Sequence, residues 1–145
     1  MKPKVLFLCT GNSARSQMAE GYLRHVAADR FEVYSAGIEP KGLNPLATEA
    51  MREINVDISA QRSKDVRELP TAQFQYVITL CSNAREECPV FRATFKSLHW
   101  DIADPAAASG TREEKLAVFR RARDEIVAHI RQLTVEAIGS AWGHK

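Results

Sequence analysis

The chain has 145 residues, of which 45% are hydrophobic and 26% charged, the size and mixture of one soluble globular domain rather than of a disordered chain or of two cores. Its 20 basic and 18 acidic residues leave a net charge of +2, so no electrostatic case exists for nucleic acid or an anionic membrane as partner. Val5-Leu6-Phe7-Leu8, preceded by Lys2 and Lys4, is too short for a membrane span or a signal-peptide core and meets Thr10-Gly11-Asn12 at once. The expected setting is a monomer in the cytoplasm.

In chain order, Lys4 to Leu8 reads as a buried strand ending at Cys9. Met18, Ala19, Tyr22, Leu23 and Val26 then recur at helical spacing. Phe31 to Ser35 reads as a second strand, stopped by Gly37 and Pro40. Asn44 caps a helix with Pro45 at its first position and Leu46, Ala47, Ala50, Met51 and Ile54 on one face. Tyr76 to Leu80 is a third strand, ending at Cys81, and Lys96 to His99 a weaker fourth. Thr111 and Glu114 form a capping box before a last helix that buries Leu116, Phe119, Ile126, Ile130 and Leu133. The domain is expected over residues 1–135, with 136–145 a C-terminal tail that carries no assignment.

Strands alternating with helices predict an α/β fold with a parallel sheet, right-handed crossovers and helices on both faces. Ligands of such sheets bind beyond the carboxyl ends of the strands. Cys9 and Cys81 both fall at such an end, and the loop carrying Asp104 follows the fourth strand. Residues far apart in sequence are therefore expected at one rim.

Cys9-Thr10-Gly11-Asn12-Ser13-Ala14-Arg15-Ser16 joins the first strand to the first helix. A loop that wraps there points successive N–H groups at one centre, where the helix dipole also favours an anion. Gly11 and Asn12 tolerate the left-handed backbone that such a wrap needs. Arg15 adds a planar fork for two oxygens of a tetrahedral oxyanion. The same field favours a thiolate at Cys9, and the Ser16 hydroxyl is placed to donate to its sulfur.

Three cysteines, an odd number, do not make a secreted disulfide scaffold. Cys81 and Cys88 flank Ser82-Asn83-Ala84-Arg85-Glu86-Glu87, a short helix capped by Ser82. Helical geometry would put the two thiols about 10 Å apart on one face. A disulfide needs Cα atoms within about 7 Å, so bridging requires this short, polar segment to unwind. Two unrelated, semi-buried thiols are the alternative reading of the residues. The spacing does not suit a structural zinc site.

The segment Cys9 to Ser16 resembles the phosphate-binding loop of low-molecular-weight protein tyrosine phosphatases. Extended through Gln17-Met18-Ala19-Glu20-Gly21, it is more similar to the thioredoxin-coupled arsenate reductases built on that fold. Further matches are Tyr34-Ser35-Ala36-Gly37, Asn44-Pro45, Asp57-Ile58-Ser59, Thr79-Leu80-Cys81, Cys88-Pro89, His99-Trp100 and Asp104-Pro105. The resemblance implies a three-layer sandwich whose four-stranded parallel sheet has the order 2-1-3-4.

It also implies a relay. Cys9 attacks arsenate held by Thr10, Gly11, Asn12, Ser13, Ala14, Arg15 and Ser16; Cys81 attacks the Cys9 sulfur and releases arsenite; Cys88 takes over the disulfide. Reduced thioredoxin then supplies the electrons, with no bound cofactor and no metal. Asp104-Pro105 matches the family's general acid, Pro105 holding Asp104 extended; Asp101 is a rival off the matched position. The alternative is a low-molecular-weight tyrosine phosphatase with regulatory cysteines. Ala106 and Ala107, where those phosphatases usually place tyrosines, favour a small inorganic oxyanion instead. Ala14 stands where many members carry another cysteine. Some reductases of the family bind potassium beside this loop, through positions that match Asn12, Glu20 and Ser35. The fourth position falls on Lys64, whose ammonium would take the ion's place against Glu20 and Asn12, or by a one-residue slip on Asp65.

Overall fold

A computed structural model describes residues 2–71, 73–81 and 91–138. Four strands, β1 (Lys4–Cys9), β2 (Glu32–Gly37), β3 (Tyr76–Thr79) and β4 (Lys96–His99), form one sheet of order β2-β1-β3-β4. All three pairings are parallel, as the alternation of strands and helices requires. The helices are α1 (Arg15–Ala27), α2 (Pro45–Arg52) and α3 (Arg112–Ile138).

The period of two along β1 assigns its side chains. Val5 and Phe7 share a cluster with Met18, Ala19 and Leu23 of α1, Ala47, Ala50 and Met51 of α2, and Leu116, Phe119, Ile126, Ile130 and Leu133 of α3. Leu6 and Leu8 face the other way, against Ala36, Val77 and Phe74. Among the described residues this second face is covered by Val66, Leu69 and Phe91 and not by a long helix. The helix expected over residues 82–88, its cap Ser82 and the thiol of Cys88 lie outside the described residues.

The helix boundaries follow their caps. The Asn44 side chain accepts from Leu46 N at 2.8 Å, with Pro45 at the first helical position. Thr111 and Glu114 make the reciprocal box, Glu114 N to Thr111 Oγ1 at 3.1 Å and Thr111 N to the Glu114 carboxylate at 2.8 Å. α3 runs through Ile138, so the first residues assigned to the tail are helical. Arg120 and Arg123 of α3 clamp Glu53 at the end of α2, and Arg123 also caps the carbonyl of Ala50. The paired guanidiniums, Arg120 foremost, hold the Glu53 carboxyl down at about 2.

Two expectations need correction. Val26 is 42% exposed and Ala27 takes the buried position, because the apolar stripe of α1 drifts past Val26 by its last turn. β2 does not stop before Gly37 but includes it, since Gly37 N donates to Lys64 O at 2.8 Å and pairs opposite Cys9.

Candidate active site

The chain between β1 and α1 is a ring held from outside. Thr10 O accepts from the N–H groups of Ile38 and Glu39 at 3.0 and 2.9 Å. Gly11 O accepts from Lys41 N at 3.0 Å and from Ser63 Oγ at 3.2 Å. Asn12 O accepts from Gln17 Nε2 at 3.0 Å, Ser13 O from Asn44 N at 2.9 Å and Ala14 O from Met18 N at 2.8 Å. In a planar trans peptide the N–H of the next residue points opposite the carbonyl. Five consecutive carbonyls held by the frame therefore turn the following amides toward the ring's centre, at the N-terminus of α1. Gly37 backs the ring, and a Cβ there would sit 2.6 Å from Thr10 O and 2.8 Å from Asn12 N. Asn12 alone supplies the left-handed turn, with φ +46°; Gly11 does not need positive φ.

Below the ring lies a buried polar core. Asn12 Nδ2 donates to Ser16 Oγ at 2.8 Å and to Ser35 Oγ at 3.0 Å. Its Oδ1 accepts from Gln17 Nε2 at 3.0 Å and from Lys64 N at 2.7 Å. Ser16 Oγ lies 2.9 Å from the Cys9 sulfur, and toward a thiolate, which has no proton to give, the hydroxyl is the donor. Ser35 donates to the Glu20 carboxylate, which also pairs with Arg24 at 2.6 Å.

Lys64 and not Asp65 faces Glu20. The Lys64 ammonium lies 3.7 Å from Glu20 Oε1 and donates to Arg62 O at 2.8 Å, while it is the backbone N–H of Lys64 that reaches Asn12. Burial pushes the Lys64 ammonium below the usual lysine range, and Glu20 opposes that shift. Asp65 instead caps the 3-10 turn Val66–Glu68 and pairs with Arg67, whose hydrogen bond holds its carboxyl down at about 2. No group of three or more His, Cys, Asp or Glu side chains able to hold a metal occurs among the described residues.

Above the ring, a cavity of about 330 Å³ is lined by Cys9, Thr10, Gly11, Ser13, Ala14 and Arg15. Lys41, Asp104, Ala106 and Ala107 complete its wall. Arg15, 3% exposed, donates through Nη1 to Ile102 O at 2.9 Å and sets Nη2 3.8 Å from Asp104 Oδ2. Asp104 is extended, as its following proline requires, and accepts from Ala106 N at 3.0 Å. Asp101 is exposed and does not line the cavity. Of the loop residues expected to bind substrate, Asn12 and Ser16 are wholly buried beneath the ring and support it from there. Sequence reasoning missed Lys41; its signal was a lysine four residues after Gly37, in the loop leaving the strand next to β1.

Cys81 is buried at the carboxyl end of β3, which pairs directly with β1. Leu80 N donates to Leu8 O at 2.8 Å, so the two cysteines follow hydrogen-bonded neighbours on adjacent strands.

The arrangement defines an α/β protein with a ring-shaped loop at the carboxyl end of its first strand and a cysteine at the head of that loop. The model of the low molecular weight phosphotyrosine protein phosphatases matches residues 4–141, and the chain belongs to that family. It is 50% identical over 131 residues to the arsenate reductase of Shouchella clausii, covering 90% of this chain and 94% of that protein. Its fold superposes with a TM-score of 0.79 on an arsenate reductase in the phosphate binding state, 33% identical, over 94% of this chain and 98% of the other. A thioredoxin-dependent arsenate reductase of Corynebacterium glutamicum superposes at 0.68 and 29% identity, over 93% of this chain and 61% of the longer one. No helix among the described residues is long and apolar enough to cross a membrane.

Proposed function

We propose that this chain reduces arsenate to arsenite through Cys9, Cys81 and Cys88, with thioredoxin as the electron donor. The observation that carries the reading is Cys9 at the head of an anion ring with Arg15 and Asp104 above it and Cys81 at the end of the adjacent strand. The relatives' activity and the thioredoxin dependence of one of them support it.

The Cys9 thiolate attacks arsenic, and an oxygen leaves as water with a proton from Asp104. The Cys81 thiolate then attacks the Cys9 sulfur. The S–S bond forms as the S–As bond breaks, and its electron pair stays on arsenic, which leaves as arsenite. Cys88 displaces Cys9 from Cys81, and a dithiol donor reduces the Cys81–Cys88 disulfide. The chain's own tasks are to hold the oxyanion by ring amides and the Arg15 fork, and to keep the Cys9 sulfur hydrogen-bonded to Ser16.

Ala106 and Ala107 in the cavity wall present no aromatic surface for a phosphotyrosine ring, which favours a small oxyanion and leaves only weak phosphatase activity on activated esters. The test is arsenate-dependent NADPH oxidation with thioredoxin and thioredoxin reductase, beside p-nitrophenyl phosphate hydrolysis. Sustained oxidation is expected. Efficient hydrolysis with no arsenate turnover would overturn the reading in favour of a phosphatase.

A further inference from the structure

We propose that Lys41 is a second cationic binding residue of the oxyanion site, one that captures the anion before Arg15 grips it. The inference rests on the oxyanion reading of the loop and adds a residue to it. Four observations carry it. Lys41 lines the cavity with Cys9, Arg15 and Asp104. Its backbone is tied to the ring through Lys41 N to Gly11 O at 3.0 Å. Its aliphatic stem lies across Gly11, where an added Cβ would come within 3.2 Å of Lys41 Cδ and 3.3 Å of Cγ. A side chain at Gly11 would have to displace the lysine stem, so the stem rests against the ring itself. Finally, among the described residues no carboxylate forms an ion pair with Lys41, whereas Arg15, Arg24, Lys64 and Arg67 each have one.

The two cations of the cavity differ in kind. Arg15 is dehydrated and fixed by Ile102 O, a fork that orients an anion already in place. Lys41 is exposed, a hydrated point charge on a flexible stem at the mouth. It adds a second positive charge to a cavity whose carboxylate, Asp104, already faces Arg15, so an incoming dianion meets a net attraction there. Lys41 acts on capture, and through capture on selection for the more highly charged oxyanion.

The test is titration of the reduced protein with inorganic phosphate by calorimetry, which needs no turnover, together with arsenate kinetics. Lys41→Met is expected to weaken phosphate binding about tenfold at low ionic strength, with the difference shrinking at high salt. Lys41→Arg is expected to restore most of it. In turnover the loss falls on kcat/KM more than on kcat. Equal phosphate affinity in Lys41→Met would overturn the proposal. So would a loss that is independent of salt and not restored by arginine, since that pattern marks a collapsed Gly11 loop. Failure of arsenate reduction in the unmodified protein would sink the proposed function and leave the phosphate comparison intact.

Discussion

The Ser16 hydroxyl lies 2.9 Å from the Cys9 sulfur, where it is the donor to a thiolate, and the Asn12 amide fixes its oxygen in place. A hydrogen bond to an anion is worth about 1.5–3 kcal/mol. Ser16→Ala is therefore expected to lower p-nitrophenyl phosphate turnover, which needs Cys9 as the nucleophile and then as a leaving thiolate, about tenfold, the lower end of that range. Unchanged turnover would show that the ring amides alone hold the sulfur.

The cysteines separate by assay. Cys9→Ser is expected to abolish both arsenate reduction and p-nitrophenyl phosphate hydrolysis, since both need one nucleophile. Cys81→Ser and Cys88→Ser are expected to stop multiple-turnover reduction while leaving weak hydrolysis, because the ring, Arg15 and Asp104 remain. Full thioredoxin-linked turnover in Cys88→Ser would contradict the relay.

Asp104 sits 3.8 Å from the Arg15 fork at the cavity wall, and the proposed mechanism makes it the general acid. Asp104→Ala is expected to lower p-nitrophenyl phosphate turnover about a hundredfold, within the usual range for such a group. Inorganic phosphate binding should be kept or strengthened, because a like charge has been removed. Loss of phosphate binding in that variant would assign Asp104 to holding Arg15 instead.

Lys64 places an internal cation beside Glu20. Replacing sodium by potassium at constant ionic strength is therefore expected to change neither thermal stability nor phosphate affinity. Lys64→Asp is expected to introduce a potassium response. A clear potassium-specific stabilisation of the unmodified protein would show that the lysine does not fill that place.

Glu53 gives a pH dependence with a definite sign. Its carboxyl is held at about 2 in the folded chain against an ordinary 4.5, so below about 4.5 the unfolded chain binds the extra proton. The clamp's contribution is full above that pH and is lost as the pH falls toward about 2. Glu53→Gln is expected to lower stability by about 1 kcal/mol at neutral pH, discounted for the partly exposed pair. In urea titrations the gap between the two proteins should close on acidification. A gap that persists at low pH would mean that packing, not charge, is what the substitution removed.

Local chemistry determined much of this protein from sequence alone. Periodicity places β1 and the buried face of α3, and side-chain capping marks the starts of α2 and α3, because these signals act within a few residues. Strand and helix alternation implied a parallel sheet, and with it a rim where Cys9, Cys81 and the Asp104 loop meet. What tertiary structure decided is which loop side chains line the cavity and which support the loop from below. Ser35, Gln17 and the Lys64 backbone draw the Asn12 side chain under the ring, and Asn12 in turn holds Ser16, so both side chains support the loop while its amides turn inward. Lys41 was invisible as a site residue because its role depends on β2 lying beside β1 and on the space left by Gly11. The choice of Lys64 over Asp65 was likewise fixed by a contact across the fold, the bond from Gly37 N to Lys64 O that sets which side chain turns toward Glu20. The contacts to Ser35, Lys64 and Lys41 join residues tens of positions apart, and no local pattern encodes them.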